Sequence, residues 1–359
     1  MHSQQEQGGH EPEVNYDTWM LNLRFVLITL VFIATGIEPV MERFGLLGGL
    51  HAWIFIFHMP LFAYVTGYFS RNTLLGRSGL KVIVSIAVQY IIFQTLYSSL
   101  DVLFFHVPGQ KHSFFIPYLM LWFLVAHIGW RCLVRLMCAL GIKHPVAVSL
   151  CLGVAAGYLG TDGSWLSFSR MFVFLPFFAA GYAVHPAKLL AFISGKGRII
   201  QAGISLIVLA AVPALMWHGT PDWLYGKFTY AEMGSFGPAA AMIRLGCYVL
   251  QIWASLAVLA LIPRRQSILT SLGSRTLYVF LLHGLFVRSA ISLGLYDFVQ
   301  HTGDVVILAA VILIMTVALS LPQTRQMTKW FIEPELDSLY RLGYRLTIRR
   351  HRPRMLKKL

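Results

Sequence analysis

The stretch from His51 to Asn72, HAWIFIFHMPLFAYVTGYFSRN, constrains this chain more than any other. Its apolar run is long enough to cross a bilayer, for which about 20 residues are needed. Yet it carries His58 near its middle, Pro60 and Gly67 within it, and Arg71 at its exit. Ionisable groups at membrane depth are costly and face a cavity or a partner. Proline and glycine kinks survive there only where neighbouring helices or water satisfy the freed backbone groups. A helix that merely anchors a protein needs none of these residues. The run reads as one wall of a chamber for reaction or transport.

The rest of the chain extends that reading. With 57% hydrophobic and only 12% charged residues, the composition excludes a soluble domain of this length and points to an all-α, polytopic transmembrane bundle. Residues 1–20 are polar and acidic (Glu6, Glu11, Glu13, Asp17). They lack the basic start and cleavage site of a signal peptide, so the first apolar segment is expected to be retained. Cys132, Cys138, Cys151 and Cys247 have no metal-binding spacing and read as structural thiols; no metal is expected. The net charge of +14 is concentrated in the tail from Arg341 to Lys358. A basic tail after a span is a cytoplasmic feature that touches anionic membrane lipid, so no nucleic-acid partner is expected.

Apolar windows give about ten spans, beginning near Leu21, His51, Leu80, Phe114, Pro145, Arg170, Ile199, Ala239, Ser271 and Asp304. The chain then divides into a cytoplasmic segment 1–20, a transmembrane domain 21–322 and a basic cytoplasmic tail 323–359. One set of connections carries Arg71, Arg77 and Lys81, then Arg131, Arg135 and Lys143, then Lys188, Lys196 and Arg198, then Arg264, Arg265 and Arg275. The intervening set carries Glu38, Glu42 and Arg43, then Lys111, Asp162, then Asp222, Lys227 and Glu232, then Asp297 and Asp304. The alternation is unbroken, and it places both termini in the cytoplasm. The longest outer connection, Trp217 to Pro238, is rich in aromatic residues (Trp217, Trp223, Tyr225, Phe228, Tyr230). They suit an interfacial belt better than a sugar-stacking surface.

Four arginines fall within or beside apolar segments: Arg24, Arg170, Arg244 and Arg288. Each costs roughly 2.5–3.5 kcal/mol at a helix centre. Arg24 and Arg170 lie near span ends, where the side chain can snorkel to an interface; Arg244 and Arg288 sit deeper. The planar guanidinium grips phosphate bidentately and keeps its proton, so such residues with basic inner loops suit an anionic cytosolic cosubstrate. His58, His127 and His283 are the intramembrane histidines, and histidine is the usual proton-transfer group near neutral pH.

Several of these segments carry a resemblance. His58-Met-Pro-Leu-Phe with Gly67-Tyr68-Phe69-Ser70-Arg71 resembles the second span of the acyltransferase family 3 integral membrane proteins, in their fucose 4-O-acetylase-like branch. Trp122-Phe123-Leu124 with Trp130-Arg131 is similar to that family's fourth span. Arg170 with Phe174-Leu175-Pro176-Phe177-Phe178 and Gly181-Tyr182 is similar to its sixth. Arg244 precedes the eighth, and Thr276-Leu277-Tyr278 with Leu281-Leu282-His283-Gly284 is similar to the ninth. The resemblance implies an O-acyltransferase of the bacterial inner membrane. It would move acetyl from acetyl-CoA, as cosubstrate, to a hydroxyl of a surface glycan or its lipid-linked precursor.

The resemblance also implies a first-span basic residue with a histidine eleven positions later, about 16 Å along a helix, the histidine serving as base. Arg24 and Glu38-Pro39 match, but the histidine position holds Thr35, and the usual aspartate three before Arg24 is Leu21. Threonine is no base at neutral pH. Three readings stand open: His58 or Glu38 supplies the base, the histidine is dispensable, or the protein is catalytically impaired. On the first, Arg24, Glu38, His58 and His283 are the catalytic candidates, with Glu38 orienting or replacing His58. Arg71, Arg170, Arg244 and Thr35 are the substrate-binding candidates, with Arg71 at a CoA phosphate. A glycan or lipid transporter on the same scaffold is the alternative function.

Overall fold

A computed structural model describes residues 15–105, 112–160, 162–195, 197–216, 221–235 and 237–334. Both terminal segments, Lys111, Lys196 and Trp217 lie outside the described residues. The described chain is helical and contains no strand: α1 (Tyr16–Ile37), α2 (Gly45–Ser70), α3 (Gly76–Leu103), α4 (Trp122–Ala139), α5 (Pro145–Ala155), α6 (Phe168–Ala183), α7 (Pro186–Phe192), α8 (Arg198–Met216), α9 (Pro221–Tyr225), α10 (Pro238–Leu261), α11 (Ile268–Gly273), α12 (Thr276–Ser292), α13 (Thr302–Leu319) and α14 (Pro322–Ile332). Seven of them, α1, α2, α3, α4, α6, α10 and α13, fall in stretches long and apolar enough to cross a membrane. Shorter apolar helices stand where the three remaining spans were expected, at α5, α8 and α12. The chain is a helical membrane bundle.

Polar contacts sort into two ends. At one, Tyr68 at the close of α2 donates to Asp17 at the start of α1 (2.5 Å), and Asn22 of α1 donates to the carbonyls of Pro263 and Arg265 beyond α10. Arg275, just before α12, donates to the Ser320 carbonyl at the end of α13. At the other end, Arg43 after α1 reaches the Tyr296 carbonyl and Asp297 before α13, and Tyr158 after α5 donates to the Gly237 carbonyl before α10. The connections at the first end are the basic ones of the sequence.

Pro60 and Pro176 sit inside α2 and α6, and these two helices pack together more closely than any other pair. A Cβ at Gly67 would fall on the Phe178 carbonyl, and one at Gly181 on the Tyr64 carbonyl. Small residues on both faces let the backbones touch, the usual basis of helix association where no hydrophobic effect operates between lipid-bathed helices.

The sequence expectation of a span from Phe114 needs correcting. Residues 113–118 are irregular; a 3-10 turn at Leu119–Leu121 leads into the α-helix that begins at Trp122. Pro117 biases its predecessor away from helix, and side chains of α3 bind the carbonyls instead: Tyr90 donates to Phe114, and Gln94 to Ser113 and Ile116. Deeper burial comes at Asp101, which accepts from Tyr118 (2.5 Å) and pairs with Arg288 (3.0 Å). This carboxylate is the partner that the intramembrane Arg288 requires. The tail beyond 322 begins with α14, which is fastened where Gln89 donates to the Ile332 carbonyl and Tyr278 to Glu333.

Candidate functional site

A cavity of about 390 Å³ opens among α1, α2, α3, α4 and α12, in the half of the bundle toward the basic end. Arg24, Ile28 and Val31 form its α1 wall. Their spacings of four and three keep them on one helical face. Thr66 and Ser70 come from the last turns of α2, Ser85 and Gln89 from the first half of α3, and Thr276 and Phe280 from the start of α12. From α4 come Phe123, His127 and Arg131, the last two one turn apart and so on one face. Apolar side chains, among them Met59, Phe62 and Met120, line the deep part. No carboxylate is among the lining residues.

The two guanidiniums differ. Arg131 is 2% exposed; it donates from Nη1 to Ser70 Oγ (2.8 Å) and from Nη2 to the Thr73 carbonyl and Oγ1, while its Nε has no partner. The segment joining α2 to α3 therefore fixes it. Arg24 has no hydrogen bond or ion pair among the described residues. Its guanidinium stands 5.3 Å from the Phe69 ring centre, and a cation–π contact leaves its N–H groups available.

The other expected site residues lie elsewhere. Thr35 continues the Arg24–Ile28–Val31 face one turn beyond the cavity, half-buried. Glu38 is exposed after α1, away from the cavity, and makes no bond to His58. His58 is 1% exposed, and its Nδ1 meets the Ile54 carbonyl at 2.7 Å. That carbonyl, not a carboxylate, orients the ring, so the expected His58–Glu38 pair is absent among the described residues. His283 is fully buried beside Phe32, its Nδ1 held by the Val279 and Phe280 carbonyls and its Nε2 without a partner. It sits a turn deeper than Phe280 and does not line the cavity.

Arg71, Arg170 and Arg244 all bind backbone carbonyls. Arg71 donates from Nε to Gly181 and Tyr182 (3.0 and 3.1 Å) and from Nη2 to Val184. It satisfies the orphan carbonyls that end α6 and bolts that helix to α2. Arg170 stands over the Trp122 ring (4.6 Å) and donates weakly to the Tyr225 carbonyl, 3.4 Å away. Arg244 donates to the Trp223 carbonyl (2.5 Å), and Gln251 beside it to Leu224 (3.4 Å). Three successive carbonyls at the end of α9 are thus each met by a side chain of α6 or α10. His51 also meets the Tyr225 hydroxyl at 3.0 Å. Part of the expected aromatic belt packs inward instead: among the described residues Trp223 and Tyr230 are buried and stack at 5.3 Å.

No family model, curated protein or solved structure matches this chain. What the bundle itself offers is a cationic, mostly apolar chamber at its basic end. Of the expected residues, the structure brings Arg24 to that chamber. It adds Arg131, Gln89 and, of the three intramembrane histidines, His127. The signal was present in the sequence: His127 and Arg131 are four apart on an otherwise apolar segment.

Proposed function

We propose that this chain is an integral membrane O-acyltransferase that takes an acyl group, ordinarily acetyl, from acyl-CoA in the cavity and passes it to a hydroxyl. The acceptor is a surface or secreted glycan or its lipid-linked precursor, as the sequence resemblance implies. One observation carries the reading: a chamber lined by two guanidiniums and no carboxylate among the described residues, reaching the basic end at Arg24, Thr73 and Arg131. Its size falls in the range of about 300–1,000 Å³ that ligand pockets occupy. That suits the slender thioester arm of CoA, with the bulky nucleotide left at the mouth. Unpaired Arg24 supplies donors to a phosphate or to the oxyanion of the transition state. Apolar side chains in the deep part, Met59 and Phe123 among them, keep water from the thioester.

The topology proposed with it has ten crossings, α5, α8 and α12 completing the seven long ones, with both termini cytoplasmic. Reporter fusions at Arg265 and after Leu359 should report cytoplasm, and one at Asp222 the opposite face. A C-terminus on the outer face would break the scheme. Function is tested in inside-out membrane vesicles of the source organism given radiolabelled acetyl-CoA. Label should enter membrane-bound glycan as an alkali-labile ester and be absent from vesicles lacking the protein. Equal labelling with and without it would refute the reading.

A further inference from the structure

We infer that His127 is the general base of this chamber, taking the role that the first span does not fill at Thr35; the inference rests on the acyl-transfer reading above. Of the three intramembrane histidines, His127 is the one that lines the cavity. His58 and His283 each spend Nδ1 on a carbonyl of their own helix and are almost wholly enclosed. His127 has no hydrogen bond among the described residues; its Nε2 is enclosed by protein, which leaves Nδ1 as the ring nitrogen open to the cavity. Its ring is held by packing instead, 6.0 Å from Phe178 and 6.4 Å from Phe123. A ligand hydroxyl in the cavity can hydrogen-bond to Nδ1 without displacing any partner.

The neighbours complete the arrangement. Arg131 follows one turn later on the same helix face and is locked by Ser70 and Thr73. Arg24 looks into the same cavity from α1. An acceptor hydroxyl entering between them gives its proton to the His127 imidazole as its oxygen bonds to the thioester carbonyl carbon. The resulting oxyanion lies against the guanidiniums. When it collapses, the carbon–sulfur bond breaks, and the departing CoA thiolate takes the proton back from the imidazolium and leaves as the free thiol. No other reactant is needed.

The test uses the same vesicles with His127→Gln, which keeps size and hydrogen bonding but cannot carry the proton. The turnover number should fall about 10²–10⁴-fold, the usual contribution of a general base. The KM for acetyl-CoA should stay within about twofold, and added imidazole should restore part of the rate. Wild-type activity with His127→Gln within threefold of it overturns the inference and leaves the transferase reading intact. An inactive wild type removes both. Should His127→Gln fail to insert, diethyl pyrocarbonate modification of wild type decides. Saturating acetyl-CoA should protect His127, mapped by mass spectrometry, and modification that is indifferent to acetyl-CoA overturns the assignment.

Discussion

Asp101→Asn should be the most destabilising single change in the bundle. Its carboxylate is 1% exposed and receives Arg288 through two hydrogen bonds (3.1 and 3.0 Å) and the Tyr118 hydroxyl at 2.5 Å. Arg288 also donates to that hydroxyl at 3.1 Å, which closes a three-membered network joining α3, α12 and the segment before α4. Breaking a buried pair by removing one partner costs about 3–5 kcal/mol, because the other charge is left uncompensated. Here Arg288 is 26% exposed, so water recovers part of that penalty and a loss of about 3 kcal/mol is expected. Removing both charges together is a different matter. Asp101→Asn with Arg288→Met should regain most of the lost stability, since an apolar replacement of a whole pair is often nearly neutral. Thermal unfolding of the detergent-solubilised protein, run as a double-mutant cycle, measures this. Single variants as stable as wild type would mean that the network does not hold the helices together.

Arg24→Gln should have the largest effect on cosubstrate use apart from the loss of the base. Among the described residues Arg24 has no hydrogen bond or ion pair, and the cavity wall it stands on carries no carboxylate, so its charge is available for a ligand. Loss of a charge-assisted hydrogen bond costs about 1.5–3 kcal/mol, or roughly 10- to 150-fold in apparent affinity. If Arg24 meets a CoA phosphate, KM for acetyl-CoA should rise by that factor with the turnover number little changed. If it meets the oxyanion, the turnover number should fall and KM hold. An Arg24→Gln enzyme with unchanged kinetics would remove Arg24 from the site. Arg71→Gln gives the contrast: its donors are spent on the carbonyls that end α6, so stability should suffer and the acetyl-CoA dependence should not.

The membrane bundle was legible because long apolar runs have few other solutions. The start of α5 at Pro145, and those of α6, α8, α10 and α13, lie within two residues of expectation. At Phe114 the expectation failed because hydropathy does not see Tyr90 and Gln94, which hold the backbone of 113–118 in an irregular form. The site was legible in part. An arginine at membrane depth signals that something must receive its donors, but the sequence cannot say whether that is a ligand or a helix end. Arg71, Arg170 and Arg244 meet carbonyls, whereas Arg24 meets only the Phe69 ring among the described residues. Glu38 was linked to His58 by its place in the motif, although α1 and α2 hold the two apart. Asp101, near the end of α3, gave no local hint of Arg288, which lies 187 positions away.

Photo-crosslinking shows whether acyl-CoA occupies the chamber at the basic end. A photoreactive acyl-CoA would be applied to inside-out and to right-side-out vesicles, and the labelled residues mapped by mass spectrometry. Label is expected in inside-out vesicles only, on cavity residues such as Met59, Met120 and Phe123, competed by acetyl-CoA and weakened in Arg24→Gln. Label that forms equally from either side, or that falls on the α9 loop around Trp223 and Tyr225 and spares the cavity, would contradict it.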